Sequence, residues 1–244
     1  MIERISLCGV PVDILKPENL EQDILEILIK PGTKQIMFLS VWNLLKARSN
    51  SEYMECLKNA DLIIPVSKSI IKGAKFLKKN VPVRYNPFDA VISILSVLES
   101  HYKSVYLLGS AKKTLLKAES NLHDTYPNLH IVGRCVGYFS KNAERDVVQA
   151  IYKSQASLVL VSEGIKEKDL WAYRRRNSFS SSIFLYFRDA FGIFSDRIRR
   201  VDPKTFEKGH EVFVEIAHNP FKVFLVFPYM WYNLVLFWYK IRKK

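Results

Sequence analysis

The sequence predicts an α/β fold: a mainly parallel sheet with helices on both faces, followed by a helical appendage that associates with a membrane. Three observations carry this reading. Short apolar runs alternate with helical stretches of about 10 to 15 residues, a pattern that requires crossover connections between parallel strands. No internal repeat or low-complexity linker interrupts that alternation. Residues 221–239 are almost wholly apolar or aromatic and run into Lys240, Arg242, Lys243 and Lys244. The boundaries therefore fall at 1–200 for the α/β domain and 201–244 for the basic, aromatic appendage.

Taken in order, residues 5–12 read as a short strand, and 17–29 as a helix with Leu20, Ile24, Leu25 and Leu28 on one face. Residues 35–39 form an apolar run short enough for a buried strand, and 44–59 carry helical spacing. A strand at 61–65 and a helix at 68–76 follow, then a break over 80–87 and a helix over 89–102. The strand at 104–108 leads through the turn Gly109-Ser110 into a helix at 112–126, for which Ser110 is a good N-cap. Strands at 130–133, 158–162 and 183–187 alternate with helices at 143–154 and 166–176. The sum is a Rossmann-like sheet covered on both faces.

The chain has 244 residues, and its net charge of +13 is unevenly placed. From residue 174 to the end there are 14 Lys and Arg against 6 Asp and Glu. Such an excess calls for an anionic partner in that region: acidic lipid, a phosphorylated substrate or nucleic acid. The three cysteines, Cys8, Cys56 and Cys135, are too few and too scattered for a disulfide framework or a zinc cluster, so a reducing compartment is expected. Nothing in the first residues reads as a secretory signal.

In the terminal run, Trp231, Tyr232 and Trp238 have rings suited to the headgroup level, and Lys240, Arg242, Lys243 and Lys244 attract anionic lipid. The run is borderline in length for a span and has a central proline, Pro228. Attachment to the membrane surface is therefore favoured over a span or re-entrant hairpin and over a helix docked on the protein's own core. Removing residues 221–244 is then expected to raise solubility without unfolding the chain.

Several chemistries are disfavoured. There is no complete G-x-G-x-x-G or Walker loop, no Asp-x-Asp, no H-E-x-x-H and no nucleophile elbow. Gly109-Ser110 and the turn Ser162-Glu163-Gly164 follow apolar strands, where backbone N–H groups can meet an anionic ligand. Arg174, Arg175 and Arg176, with Arg197, Arg199 and Arg200, are either solvated or a phosphate-binding face. No recognised module accompanies them, so nucleic acid is not the expected partner.

Several stretches, in order, resemble the WecG/TagA/CpsF glycosyltransferase family. They are Ala47-Arg48 through Tyr53 to Ala60-Asp61-Leu62-Ile63-Ile64-Pro65; Arg84 with Asp89; Val105 to Gly109; Tyr126-Pro127 with Gly133, Gly137, Tyr138 and Phe139; and Gly164 with Trp171. Arg197 to Arg200, then Glu211 and Pro220, look like the family's basic membrane-attaching segment. The resemblance implies transfer of an N-acetylhexosamine-type sugar from a UDP-sugar to a polyprenyl-diphosphate-linked acceptor in bacterial cell-surface polysaccharide synthesis. It also implies a peripheral location on the cytoplasmic face of the membrane, with no cofactor and no bound metal. A homo-oligomer is compatible with it. Arg84, Asp89, Gly109, Ser110 and Gly164 become the expected substrate-binding residues.

The departures cluster at the site. Where the family has P-D-G, its Asp the proposed base, this chain has Pro65-Val66-Ser67. The family's T-x-N is replaced by Phe38-Leu39-Ser40, its G-x-G-S-P-K-Q-E by residues 162–169, and its G-G-S-F by Arg188-Asp189-Ala190-Phe191. A valine cannot accept a proton, so Glu163 and Asp189 are the candidate replacement bases. The alternative is a catalytically degenerate relative acting as a membrane-bound binding or scaffold subunit.

Overall fold

The computed structural model describes residues 2–209 and 226–242. Six strands form one parallel sheet: β3 (Lys34–Leu39), β4 (Leu62–Pro65), β5 (Ser104–Leu108), β6 (His130–Cys135), β7 (Leu158–Val161) and β8 (Ile183–Tyr186), in the order β4-β3-β8-β7-β5-β6. The predicted fold class is thus the observed one.

Side chains alternate across this sheet because strand residues point to opposite faces in turn. Ile36, Leu62, Leu107, Leu160 and Leu185 join one core with α1 (Leu20–Ile29), α5 (Pro87–Ser100), α6 (Lys112–Thr125) and α9 (Ala190–Phe194). Met37, Leu39 and Ile63 face the other way, onto α2 (Val41–Ser49), α3 (Ser51–Lys58) and α4 (Lys68–Phe76). On that second face Tyr106, Val159 and Phe184 meet α7 (Glu144–Ser154) and α8 (Asp169–Arg174).

Three local readings change. Residues 5–12 are not one strand but parts of a hairpin, β1 (Glu3–Leu7) and β2 (Val10–Ile14). Its two-residue turn, Cys8-Gly9, has φ of 52° and 85°, and paired positive φ values match the right-handed twist of the strands they join. The hairpin covers the sheet's edge. The Asp13 carboxylate accepts from the Ile63 N–H of β4 at 2.7 Å and is held by the Arg4 guanidinium, which also donates to the Ala60 carbonyl at 2.8 Å. A terminal strand is blunted in this way against pairing with other chains. Second, the helix expected over 44–59 is two helices. Asn50 breaks it in extended conformation and accepts from the Tyr53 N–H at 2.8 Å, capping α3. Third, Ser110 does not cap α6; Ala111 holds that position without a side-chain bond.

The C-terminal helix, α11 (Val226–Arg242), follows α10 (Pro203–Lys208) among the described helices. None of the described helices is long and apolar enough to cross a membrane. One face of α11 docks on the body: Tyr232, Val235 and Leu236 are buried against α2 and α4. Tyr232, expected at the membrane, is therefore a core residue. Gly73 of α4 makes this contact feasible, since a Cβ there would lie 2.1 Å from the Tyr232 Oη, which donates to the Ser69 carbonyl at 3.2 Å. The Tyr239 Oη accepts from Arg48 at 3.0 Å. The opposite face of α11 is largely exposed hydrocarbon. Phe227, Met230, Trp231, Leu234, Phe237, Trp238 and Ile241 are exposed, Trp231 at 60% and Trp238 at 46%. Lys243 and Lys244 lie outside the described residues.

Candidate active site

In open parallel sheets, ligands bind beyond the carboxyl ends of the strands. Here β4 ends at Pro65, and the following Val66 N–H still donates to the Leu39 carbonyl at 3.0 Å. The chain comes back to this point at Tyr85, whose N–H donates to the Pro65 carbonyl at 3.0 Å, bringing Arg84 beside Val66. The Arg84 Nε donates to the Val66 carbonyl at 2.9 Å, and its guanidinium stacks on the Phe206 ring with Cζ 3.7 Å from the centroid. Arg84 and Val66 thus share one strand end.

Around them opens a cleft of about 780 Å³. Among the described residues six cations line it, Lys68, Lys72, Arg84, Arg188, Arg199 and Lys208, against the single carboxylate of Asp189. Lys68 and Lys72 are one turn apart on α4, and the Lys68 ammonium donates to the Glu207 and Lys208 carbonyls at 2.9 and 3.0 Å. The apolar part of the lining includes Val66, Phe187, Ile193, Ile198, Val201 and Phe206. Beneath it Phe38 meets Phe187 edge to face at 5.9 Å. Positions that would carry Thr and Asp by the family pattern are therefore hydrocarbon. Asp189, with its side chain 27% exposed, is held by the neighbouring Arg188 at 2.9 and 3.1 Å.

The remaining expected residues fall elsewhere. Asp89 does not line the cleft; it forms an ion pair with Arg200. Glu163 also lies outside the lining, where its carboxylate accepts from the Ser110 Oγ at 2.9 Å and pairs with Arg197. The Gly109-Ser110 turn is closed by the protein itself. The Gly109 N–H donates to the Cys135 carbonyl at 2.9 Å and the Ser110 N–H to the Glu163 carbonyl at 2.6 Å, so neither is presented to a phosphate. A Cβ on Gly109 would come 2.8 Å from that Glu163 oxygen. Gly164 belongs to the same packed loops, its carbonyl accepting from the Tyr138 N–H at 2.9 Å.

Nor do the six arginines make one phosphate face. Arg174 pairs with Glu52 and Glu167, and Arg175 with Glu144 and Glu167, while Arg199 alone of the six lines the cleft. Lys68, Lys72 and Lys208 were not singled out in the sequence. Their only linear signal is the i, i+4 pair on α4, which equally describes a solvated helix face.

Asp169, at the position of the family motif's acidic residue, is buried away from the cleft. Its carboxylate accepts from the Tyr53 Oη at 3.1 Å, and Tyr53 in turn accepts from Asn43 at 2.8 Å. Burial pushes its pKa up to about 6, partly offset by the Tyr53 bond.

Two relatives are similar in sequence. The chain is 20% identical over 211 residues, 86% of its length and 78% of the relative's, to an N-acetylglucosaminyldiphosphoundecaprenol N-acetyl-beta-D-mannosaminyltransferase of Bacillus subtilis (strain 168). To a protein of the same description from Staphylococcus aureus (strain NCTC 8325 / PS 47) it is 22% identical over 162 residues, 66% of this chain and 63% of that one. The sequence profile of the Glycosyl transferase WecG/TagA/CpsF family matches residues 5–244, sheet, cleft and C-terminal helix together, and the chain belongs to that family.

Proposed function

We propose that the protein transfers an N-acetylhexosamine-type sugar from a UDP-sugar to a polyprenyl-diphosphate-linked acceptor, while held peripherally on the cytoplasmic face of the membrane by the bare stripe of α11. The observation that carries the proposal is the cleft beyond β4 and β8, with six cations and a single carboxylate among the described residues of its lining. Transfer forms a bond between the acceptor oxygen and the anomeric carbon and breaks the bond to the donor diphosphate. Negative charge grows on that leaving group, and lysine and arginine side chains already in place stabilise it most where charge develops. The acceptor hydroxyl must lose its proton as the bond forms. Of the two replacement bases, Asp189 lines the cleft with Val66, whereas Glu163 is bound to Ser110 and Arg197 outside it, so Asp189 takes the proton in this reading.

The test is transfer of label from UDP-N-acetylhexosamines to a lipid-diphosphate acceptor in detergent. Asp189→Asn is expected to lower kcat by about 10² to 10⁴, the usual contribution of general-base assistance. Wild-type turnover unaffected by that change would rule out Asp189. The apolar Val66 favours a second reading, a binding subunit without chemistry. It predicts substrate binding without wild-type turnover, and a gain when Val66→Asp is combined with Ser67→Gly.

A further inference from the structure

Three neighbouring strands end in hydrocarbon at the floor of the cleft. Phe38 belongs to β3, and Val66 and Phe187 directly follow β4 and β8, the strands on either side of it. Phe38 is buried, Val66 and Phe187 pack against the same core, and the latter two line the cleft with Ile193 and Ile198. The backbone of this shelf is engaged as well. The Phe38 carbonyl accepts from the Asn43 Nδ2 at 2.9 Å, that of Val66 from the Arg84 Nε at 2.9 Å, and that of Phe187 from the Ala190 N–H at 3.1 Å. A sugar hydroxyl laid on the shelf would lose water without gaining a side-chain partner from these three residues, and a buried hydroxyl left unpaired is costly.

We infer that the donor carries a 6-deoxy-N-acetylhexosamine, whose C6 methyl group rests on Val66 and Phe187. The inference rests on the proposed function and names the class of sugar moved. C6 is singled out by chemistry: removal of its hydroxyl leaves a methyl group, whereas removal of a hydroxyl from C3 or C4 leaves only a ring methylene. The one carboxylate in the described lining, Asp189, is held by Arg188 and serves the acceptor hydroxyl in the proposed function, so it does not compensate the shelf.

The experiment is calorimetric titration of the full chain with UDP-N-acetylglucosamine, its 6-deoxy counterpart and UDP, with transfer assayed from both sugars. The 6-deoxy compound should bind about ten- to a hundredfold more tightly than the parent, the range over which an apolar pocket tells a methyl group from its hydroxylated counterpart. Val66→Thr and Phe187→Tyr each nearly keep the side chain's shape and add a hydroxyl to the shelf. Either should bring the ratio toward one by tightening the parent sugar, and thermal unfolding of each variant reports whether it is folded. Phe187→Leu, which keeps the surface apolar, should retain the ratio. Equal affinity for the two sugars in the wild type, or a ratio unmoved by both added hydroxyls, overturns the inference. If the two sugars bind and are transferred alike, the proposed function stands and the 6-deoxy assignment falls. A full ratio without transfer has the opposite meaning: the sugar assignment stands and transfer falls. Failure of UDP and both sugars to bind overturns the two together.

Discussion

Asp169 shows how a single carboxyl can set pH dependence. Its pKa in the fold, about 6, lies above the ordinary 3.8, so between those values the folded chain keeps a proton that the unfolded chain releases. Stability therefore falls as pH rises through that window; the penalty is absent below about pH 4 and complete above about pH 6. Two units correspond to roughly 3 kcal/mol as an upper figure. Asp169→Asn keeps an acceptor for the Tyr53 hydroxyl and removes the charge. It is expected to raise Tm at pH 8 by several degrees and to leave it unchanged near pH 4, as scanning calorimetry would show. At this scale the sequence was partly legible. Val66 could be placed at a strand end because it directly follows the strand expected at 61–65. The return of Arg84 to the same point could not, since it depends on the Tyr85 N–H pairing with the Pro65 carbonyl. Glu163 could not, because its partners Ser110 and Arg197 lie 53 and 34 residues away and meet it only through tertiary packing.

Among the elements, α11 departs furthest from expectation. Its aromatic density is visible in the sequence, but the split into a docked face and a bare face depends on Gly73, 159 residues before Tyr232 in the chain. Nothing in the linear pattern tells Tyr232 from Trp231. Removing residues 221–244 would uncover Ile70, Ala74 and their neighbours, which Tyr232, Val235 and Leu236 cover. Truncation is accordingly expected to lower the midpoint of thermal unfolding rather than leave it intact, and an unchanged midpoint would show that α11 contributes no stability. Gly73→Ala is the finer probe. With the Cβ 2.1 Å from a phenolic oxygen, the ring must move, and overpacking of this kind costs about 1 to 3 kcal/mol, measurable by denaturant titration. The hairpin and the α2–α3 break were misread for a related reason: Cys8-Gly9 and Asn50 are weak breakers unless the surrounding residues are known to pair.

For the molecule as a whole, the parallel sheet was legible because alternation of strand and helix is a property of the entire chain, and errors at single boundaries do not erase it. The strand order was not, since β3 and β8 pair across about 140 intervening residues with no local signature. The global charge leads to a prediction at the same scale. With Lys240 and Arg242 at the end of the bare stripe and a net charge of +13, binding to vesicles should be strong with anionic lipid and weaken in high salt. Each cation near such a surface contributes about 1 kcal/mol, within a Debye length of about 8 Å. Equal sedimentation with neutral and anionic vesicles would contradict this.

The position of α4 has a mechanical consequence. This helix sends Lys68 and Lys72 into the cleft, and on the adjoining face it is keyed to α11 through Ser69 and Gly73. In the proposed attachment through α11, a pull on that helix would reach the same rod that carries the ammonium groups. Any displacement of α11 would then register as a displacement of charge at the strand ends, with α4 as the lever and the Tyr232 ring as its pin.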